Sequence, residues 1–101
     1  MSFSSIGGGR VEEQYTLAEK KALSVDTGGA SYTLSTTDAK LIVLVAVDDD
    51  IYWDVEPINA DSPLISKGGG YSFTVGNLEQ PITIYAKAKS TSGTLYIQVF
   101  K

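Results

Sequence analysis

The chain has 101 residues, a formal charge of −4, and neither His nor Cys. Length sets one domain, and the missing residues exclude disulfides, leave almost no route to a zinc site, and deny a Ser or Thr nucleophile its commonest base. The eight Lys and Arg residues are scattered and outnumbered by twelve Asp and Glu, so no basic patch is expected to neutralise nucleic-acid phosphates.

A domain this small buries roughly 60–70% of the surface its unfolded chain exposes. Without disulfide or metal, further stability has to come from oligomerisation or docking on a partner. Residues 1–13 are predicted to form a flexible, extended N-terminal arm, and 14–101 a single β-sandwich domain. Met1 to Gly9 is rich in Ser and Gly, with Phe3 and Ile6 as its large apolar residues and Gly7-Gly8-Gly9 permitting almost any backbone path. The arm reads as an anchor, with Phe3 and Ile6 docking on a neighbouring subunit; the rival is a frayed terminus without a role. No basic region followed by an apolar core appears here, so a signal peptide is not expected.

From Gln14 to Val25 propensity and alternation disagree. Leu17, Ala18, Lys20, Lys21, Ala22 and Leu23 favour helix, while Tyr15 with Leu17 and Leu23 with Val25 alternate as strands do. The expectation is two short strands broken near Glu19 to Lys21, with room for one helical turn at the break. Ala30 to Leu34 is the next strand. Lys40 to Val47 is almost entirely aliphatic, which predicts a central strand covered on both faces, the second by an arm or a partner. Its apolar run is far short of the ~20 residues that cross a bilayer, so no membrane role is expected.

Asp48-Asp49-Asp50 marks a turn, with Ile51 to Val55 returning as a hairpin partner. Pro57, Asn59, Asp61 and Pro63 mark a loop before a short strand at Leu64 to Ser66. Gly68-Gly69-Gly70 turns into Tyr71, Phe73 and Val75, which share a face. Ile82, Ile84, Ala86 and Ala88 alternate with Thr83, Tyr85, Lys87 and Lys89. Ser92-Gly93 is expected to close a hairpin into Leu95, Ile97 and Val99, which alternate with Tyr96, Gln98 and Phe100. The whole describes an all-β sandwich of seven or eight antiparallel strands, for which jelly-roll and immunoglobulin-like orders both fit. Leu41, Val43, Val45, Ile82, Ile84, Leu95, Ile97 and Val99 are the expected core.

Three groups of side chains invite a chemical reading. Asp48, Asp49 and Asp50, near Asp54 and Glu56, could offer oxygen ligands to calcium but lack the spacing of a calcium loop; adjacent carboxylates on a turn more simply point to water. Trp53 could serve as a platform for sugar rings, against the plainer reading that it fills the core. Tyr85, Tyr96 and Phe100 lie on the polar faces of their strands, and a hairpin would join them in one aromatic patch suited to a protein contact. No motif supports enzymatic activity, and neither a metal nor a cofactor is expected.

The succession Ala30-Ser31-Tyr32-Thr33-Leu34, Ala39 to Ala46, Ile51-Tyr52-Trp53-Asp54, Tyr71-Ser72-Phe73, Ile82 to Ala86 and Ser92 to Ile97 resembles small β-sandwich virion structural proteins of tailed bacteriophages. The resemblance rests on strands and turns over most of the chain and carries no catalytic residues. It implies a non-enzymatic virion protein, made in the host bacterial cytoplasm, whose partners are a major capsid or other virion protein and further copies of itself. Capsid decoration or cement, bridging and stabilising capsomers, is the leading expectation; a neck or tail role and a carbohydrate-binding module using Trp53 are the alternatives. The expected contact residues are Phe3, Ile6, Tyr85, Tyr96 and Phe100.

Overall fold

A computed structural model describes residues 14–101. The predicted arm, 1–13, with Phe3 and Ile6, lies outside the described residues. Eight strands follow in order: β1 (Leu17–Asp26), β2 (Ala30–Thr33), β3 (Leu41–Val47), β4 (Ile51–Asp54), β5 (Leu64–Ile65), β6 (Gly70–Thr74), β7 (Thr83–Ala88) and β8 (Ser92–Phe100). They form two four-stranded sheets, ordered β1-β8-β3-β6 and β2-β7-β4-β5. Every pairing is antiparallel. First pairs with last (β1·β8), second with seventh (β2·β7), third with sixth (β3·β6) and fourth with fifth (β4·β5). This nested order is a jelly roll, so the immunoglobulin-like alternative falls away.

The nesting corrects two expected hairpins. Of the seven connections between consecutive strands, only β4 to β5 stays within one sheet. The Asp48-Asp49-Asp50 turn carries the chain from one sheet to the other, and so does the connection from β7 to β8. Turn residues signal that a chain reverses; they do not say which strand it then pairs with.

The break expected at Glu19 to Lys21 is absent as well. β1 is one strand of ten residues, with an irregularity between Leu17 and Glu19. Pairing along the nine residues of β8 overrides the local helix propensity, and a bulge absorbs the extra residue.

The core lies between the sheets. Alternation places Ile82, Ile84, Ala86 and Ala88 inward from one side and Leu95, Ile97 and Val99 from the other, all buried as expected. β3 is different. Ile42, Leu44 and Ala46 point into the core, whereas Leu41, Val43, Val45 and Val47 are half-buried on the outside. The expected core set named the wrong face of this strand: an uninterrupted aliphatic run carries no alternation from which to tell inside from outside.

Candidate interaction surface

The register of the four strands decides what the outside of the β1-β8-β3-β6 sheet presents. Leu17 pairs with Phe100 and Phe100 with Leu41. One step along, Lys20, Gln98, Val43 and Ser72 line up. The next row is Ala22, Tyr96, Val45 and Gly70, followed by Ser24, Thr94 and Val47. Because strand period is two, all of these point away from the core. The aliphatic side of β3 is flanked by Phe100 and Tyr96, and Leu17 extends it to the sheet's edge. Tyr96 is 47% exposed and Leu17 45%. No described element covers this face, so the second cover expected for β3 is absent among the described residues.

The expected aromatic patch does not form. Tyr96 and Phe100 belong to the outer face just described, but Tyr85 is on β7, in the opposite sheet, where it pairs with Ser31 and Asp54 on the outside. Joining all three required a β7–β8 hairpin, and the jelly-roll order assigns those strands to different sheets. Phe3 and Ile6 lie outside the described residues.

Trp53 fills the core. It is 8% exposed, with its ring stacked on Phe73 at 5.1 Å between centroids and tilted against Tyr71 at 5.4 Å. The pair bridges the sheets from β4 to β6. Burial under Phe73 removes the open indole face that a sugar platform needs, and Tyr71, 51% exposed, is the member of this cluster that meets solvent.

The acidic turn is tied into the fold. Asp49 is buried, and its carboxylate accepts hydrogen bonds from the backbone N–H groups of Ser90 (2.9 Å), Thr91 (2.9 Å) and Asp50 (2.8 Å). Asp50 accepts from the Lys67 N–H at 2.7 Å and lies 4.0 Å from the Lys89 ammonium. The N–H groups of Thr91 and then Ser90 hold the Asp49 carboxyl below its usual range, against the opposing effect of burial. These contacts join the β3–β4 crossover to the β7–β8 crossover. Among the described residues, no three His, Cys, Asp or Glu side chains are grouped to hold a metal ion. Asp54 likewise serves the loop, accepting from Ser62 Oγ at 2.7 Å and the Val55 N–H at 2.8 Å.

The most connected side chain is one that sequence reasoning passed over. Glu19 accepts from the Tyr32 hydroxyl, from the Ser35 N–H at 3.0 Å, and from the Thr36 N–H and hydroxyl at 2.9 and 2.7 Å. Burial alone would raise its pKa, but the hydrogen bonds from Ser35, Tyr32 and Thr36 outweigh it and hold the carboxyl at about 2. The same bond to Glu19, with burial and the nearby charge, raises the Tyr32 pKa. Lys21 Nζ sits 5.5 Å from the Tyr32 ring centroid. These contacts close the gap between edge strands β1 and β2. No local signal points to them, since the partners are 13 to 17 residues away along the chain.

Compared with protein-family models, curated proteins and solved structures, the chain matches none.

Proposed function

We propose that this chain is a non-enzymatic structural protein of a bacteriophage virion, first of all a capsid decoration or cement protein that bridges neighbouring capsomers. The observation that carries the reading is the outer face of the β1-β8-β3-β6 sheet, where Leu41, Val43, Val45 and Val47 stand in a row beside Phe100 and Tyr96. Half-buried apolar side chains gathered on an outer face, with Tyr96 and Leu17 exposed beside them, support a contact with another macromolecule. The resemblance of the strand pattern to small virion sandwiches supplies the class of assembly. Placed at a lattice joint, the face would add apolar burial across two capsomers and so raise resistance to internal pressure. The protein would be made in the host cytoplasm and act in the virion.

The test is to co-express the chain with a major capsid protein encoded beside it and image the particles. The expected result is added density of about the domain's size, 48 × 27 × 23 Å, at joints between capsomers, lost in a Val43→Lys variant. Density confined to a neck or tail would move the role within the virion. Particles without added density, or full attachment by Val43→Lys, would overturn the decoration reading.

A further inference from the structure

The outer face of the β2-β7-β4-β5 sheet is not flat. The β1–β2 turn and the β4–β5 loop flank β7 there, and with it they line an open concavity of about 470 Å³ that includes Ser31, Ile58, Tyr85 and Lys87. A second, of about 330 Å³, adjoins it at Ile58 and Lys87 and adds Tyr52 and Asn59. Ligand sites have volumes of about 300–1,000 Å³. Register brings the side chains together: Tyr85 pairs with Ser31, and Lys87, two residues on, pairs with Tyr52.

Both flanks are held by hydrogen bonds. The Gly28 N–H donates to Asp26 Oδ1 at 2.8 Å and the Gly29 N–H to the Asp26 carbonyl at 3.1 Å. In the loop, the Asn59 N–H donates to Ser62 Oγ at 3.0 Å, and Ser62 Oγ donates to Asp54 Oδ2 at 2.7 Å. The polar groups between the flanks are not used by the fold. The Lys87 ammonium and the hydroxyls of Ser31, Tyr52 and Tyr85 have no hydrogen-bond or ion-pair partner among the described residues. Thr33 and Thr83, on the same face, bond to each other.

We propose that this double concavity binds a short neutral oligosaccharide, with Tyr52 and Tyr85 packing on sugar rings and Lys87, Ser31 and Asn59 bonding to sugar hydroxyls. The ligand class follows from what the site offers. β7 is bonded to β2 on one side and β4 on the other, so no main-chain edge is open at the floor to an added peptide strand. Lys87 is the one cation lining either concavity, too few for a phosphate backbone. Hydroxyls and the Asn59 amide can both donate and accept, as a ligand dense in hydroxyl groups requires. Tyr52 and Tyr85 are half-buried and add apolar ring area for the C–H faces of sugars, each with a polar tip. Tyr85, separated by the fold from Tyr96 and Phe100, thereby has a contact of its own. The inference goes beyond the assembly role and does not rest on it, because the site is on the sheet opposite the apolar face.

The test is to titrate the isotope-labelled full chain with maltopentaose, cellopentaose, chitopentaose and mannopentaose in turn, and follow backbone amide resonances. At least one sugar should give saturable shifts centred on Ser31, Ile58, Asn59, Tyr85 and Lys87. Tyr85→Ala and Lys87→Ala should each raise its dissociation constant about tenfold or more, while Lys40→Ala binds like the parent. Lys87 is exposed, so Lys87→Ala keeps the test decisive if Tyr85→Ala disturbs the fold. No saturable shift with any of the four sugars, shifts centred elsewhere, or parent-like affinity in Lys87→Ala would overturn the proposal. The two readings fail separately. A chain that attaches to particles and binds no sugar loses this site and keeps the assembly role; one that binds sugar and leaves particles bare does the reverse.

Discussion

On the β2-β7-β4-β5 sheet, the residues that point away from the core include Ser31, Thr33, Thr83, Tyr85, Lys87, Tyr52 and Asp54, and Thr33 and Thr83 bond through their hydroxyls at 2.8 Å. On the β1-β8-β3-β6 sheet the corresponding rows centre on Leu41, Val43, Val45 and Val47, with Phe100 and Tyr96 beside them. Both faces follow from the same period of two, and both lack a described element over them. One is mostly polar, the other mostly apolar. The core does not require this asymmetry, because Ile42, Leu44 and Ala46 already complete the inner side of β3. Val43 and its outer neighbours thus lie outside the packing that fixes Ile42, and under the proposed function their apolar side chains would be used between molecules.

The comparison breaks most sharply at an inner position. Ile84→Asp sets an unpaired charge into a site with no exposure and should cost about 3–5 kcal/mol; the expected outcome is loss of a cooperative thermal transition. A folded Ile84→Asp variant would mean that the inner faces are less tightly packed than described.

Close approach at the crossovers ranks next. A Cβ on Gly93 would stand 2.5 Å from the Val47 carbonyl oxygen and 3.1 Å from the Asp49 nitrogen, backbone atoms that cannot swing aside. Gly93→Ala should cost about 1–3 kcal/mol, the range for overpacking, read from denaturant midpoints. Gly68→Ala has open space around its Cβ but a φ of +81°, so it should cost only the left-handed strain of about 1–2 kcal/mol.

Glu19→Gln tests the polar closure of the β1–β2 edge and should cost about 1–2 kcal/mol. Its pH dependence has a definite sign. The folded carboxyl sits at about 2, below its ordinary 4.5, so its contribution is fully present above about 4.5 and is lost as pH falls towards about 2. The stability gap between parent and Glu19→Gln should therefore be constant from neutral pH down to that upper value and shrink below it. A gap independent of pH would separate the stabilisation from the carboxylate charge.

The smallest effect on stability belongs to the outer apolar face. Val43→Lys should shift unfolding by no more than about 0.5 kcal/mol, as surface substitutions do, while abolishing attachment. If it destabilises as much as a core substitution, the outer row is a structural element and not a contact surface.

The all-β class, the strand spans from Ala30 onwards and the buried sets on β7 and β8 were legible because alternation and turn residues are local signals. Ile82, Ile84, Leu95, Ile97 and Val99 needed nothing beyond their own neighbours in sequence. The candidate surface was legible only in part. The aliphatic run of β3 called for a second cover, but which residues needed it could not be read from a run without alternation. Tyr96 and Phe100 were placed on the right face; Tyr85 was grouped with them only through a hairpin that does not exist.

Sequence by itself determined the strands from Ala30 onwards, the all-β class and the absence of His and Cys from any site this chain can build. Tertiary structure decided the partners. It routed the Asp48–Asp50 turn and the β7–β8 connection across the sandwich, and it spliced the expected break near Glu19 into one long strand. It gathered Tyr32, Ser35 and Thr36 on the Glu19 carboxylate. It also turned Val43 out while turning Ile42 in. The physical reason is common to all of these. Propensity and periodicity act over a few residues, whereas jelly-roll pairing joins first strand to last, and that long-range register decides which face, which neighbour and which hydrogen bond each residue receives.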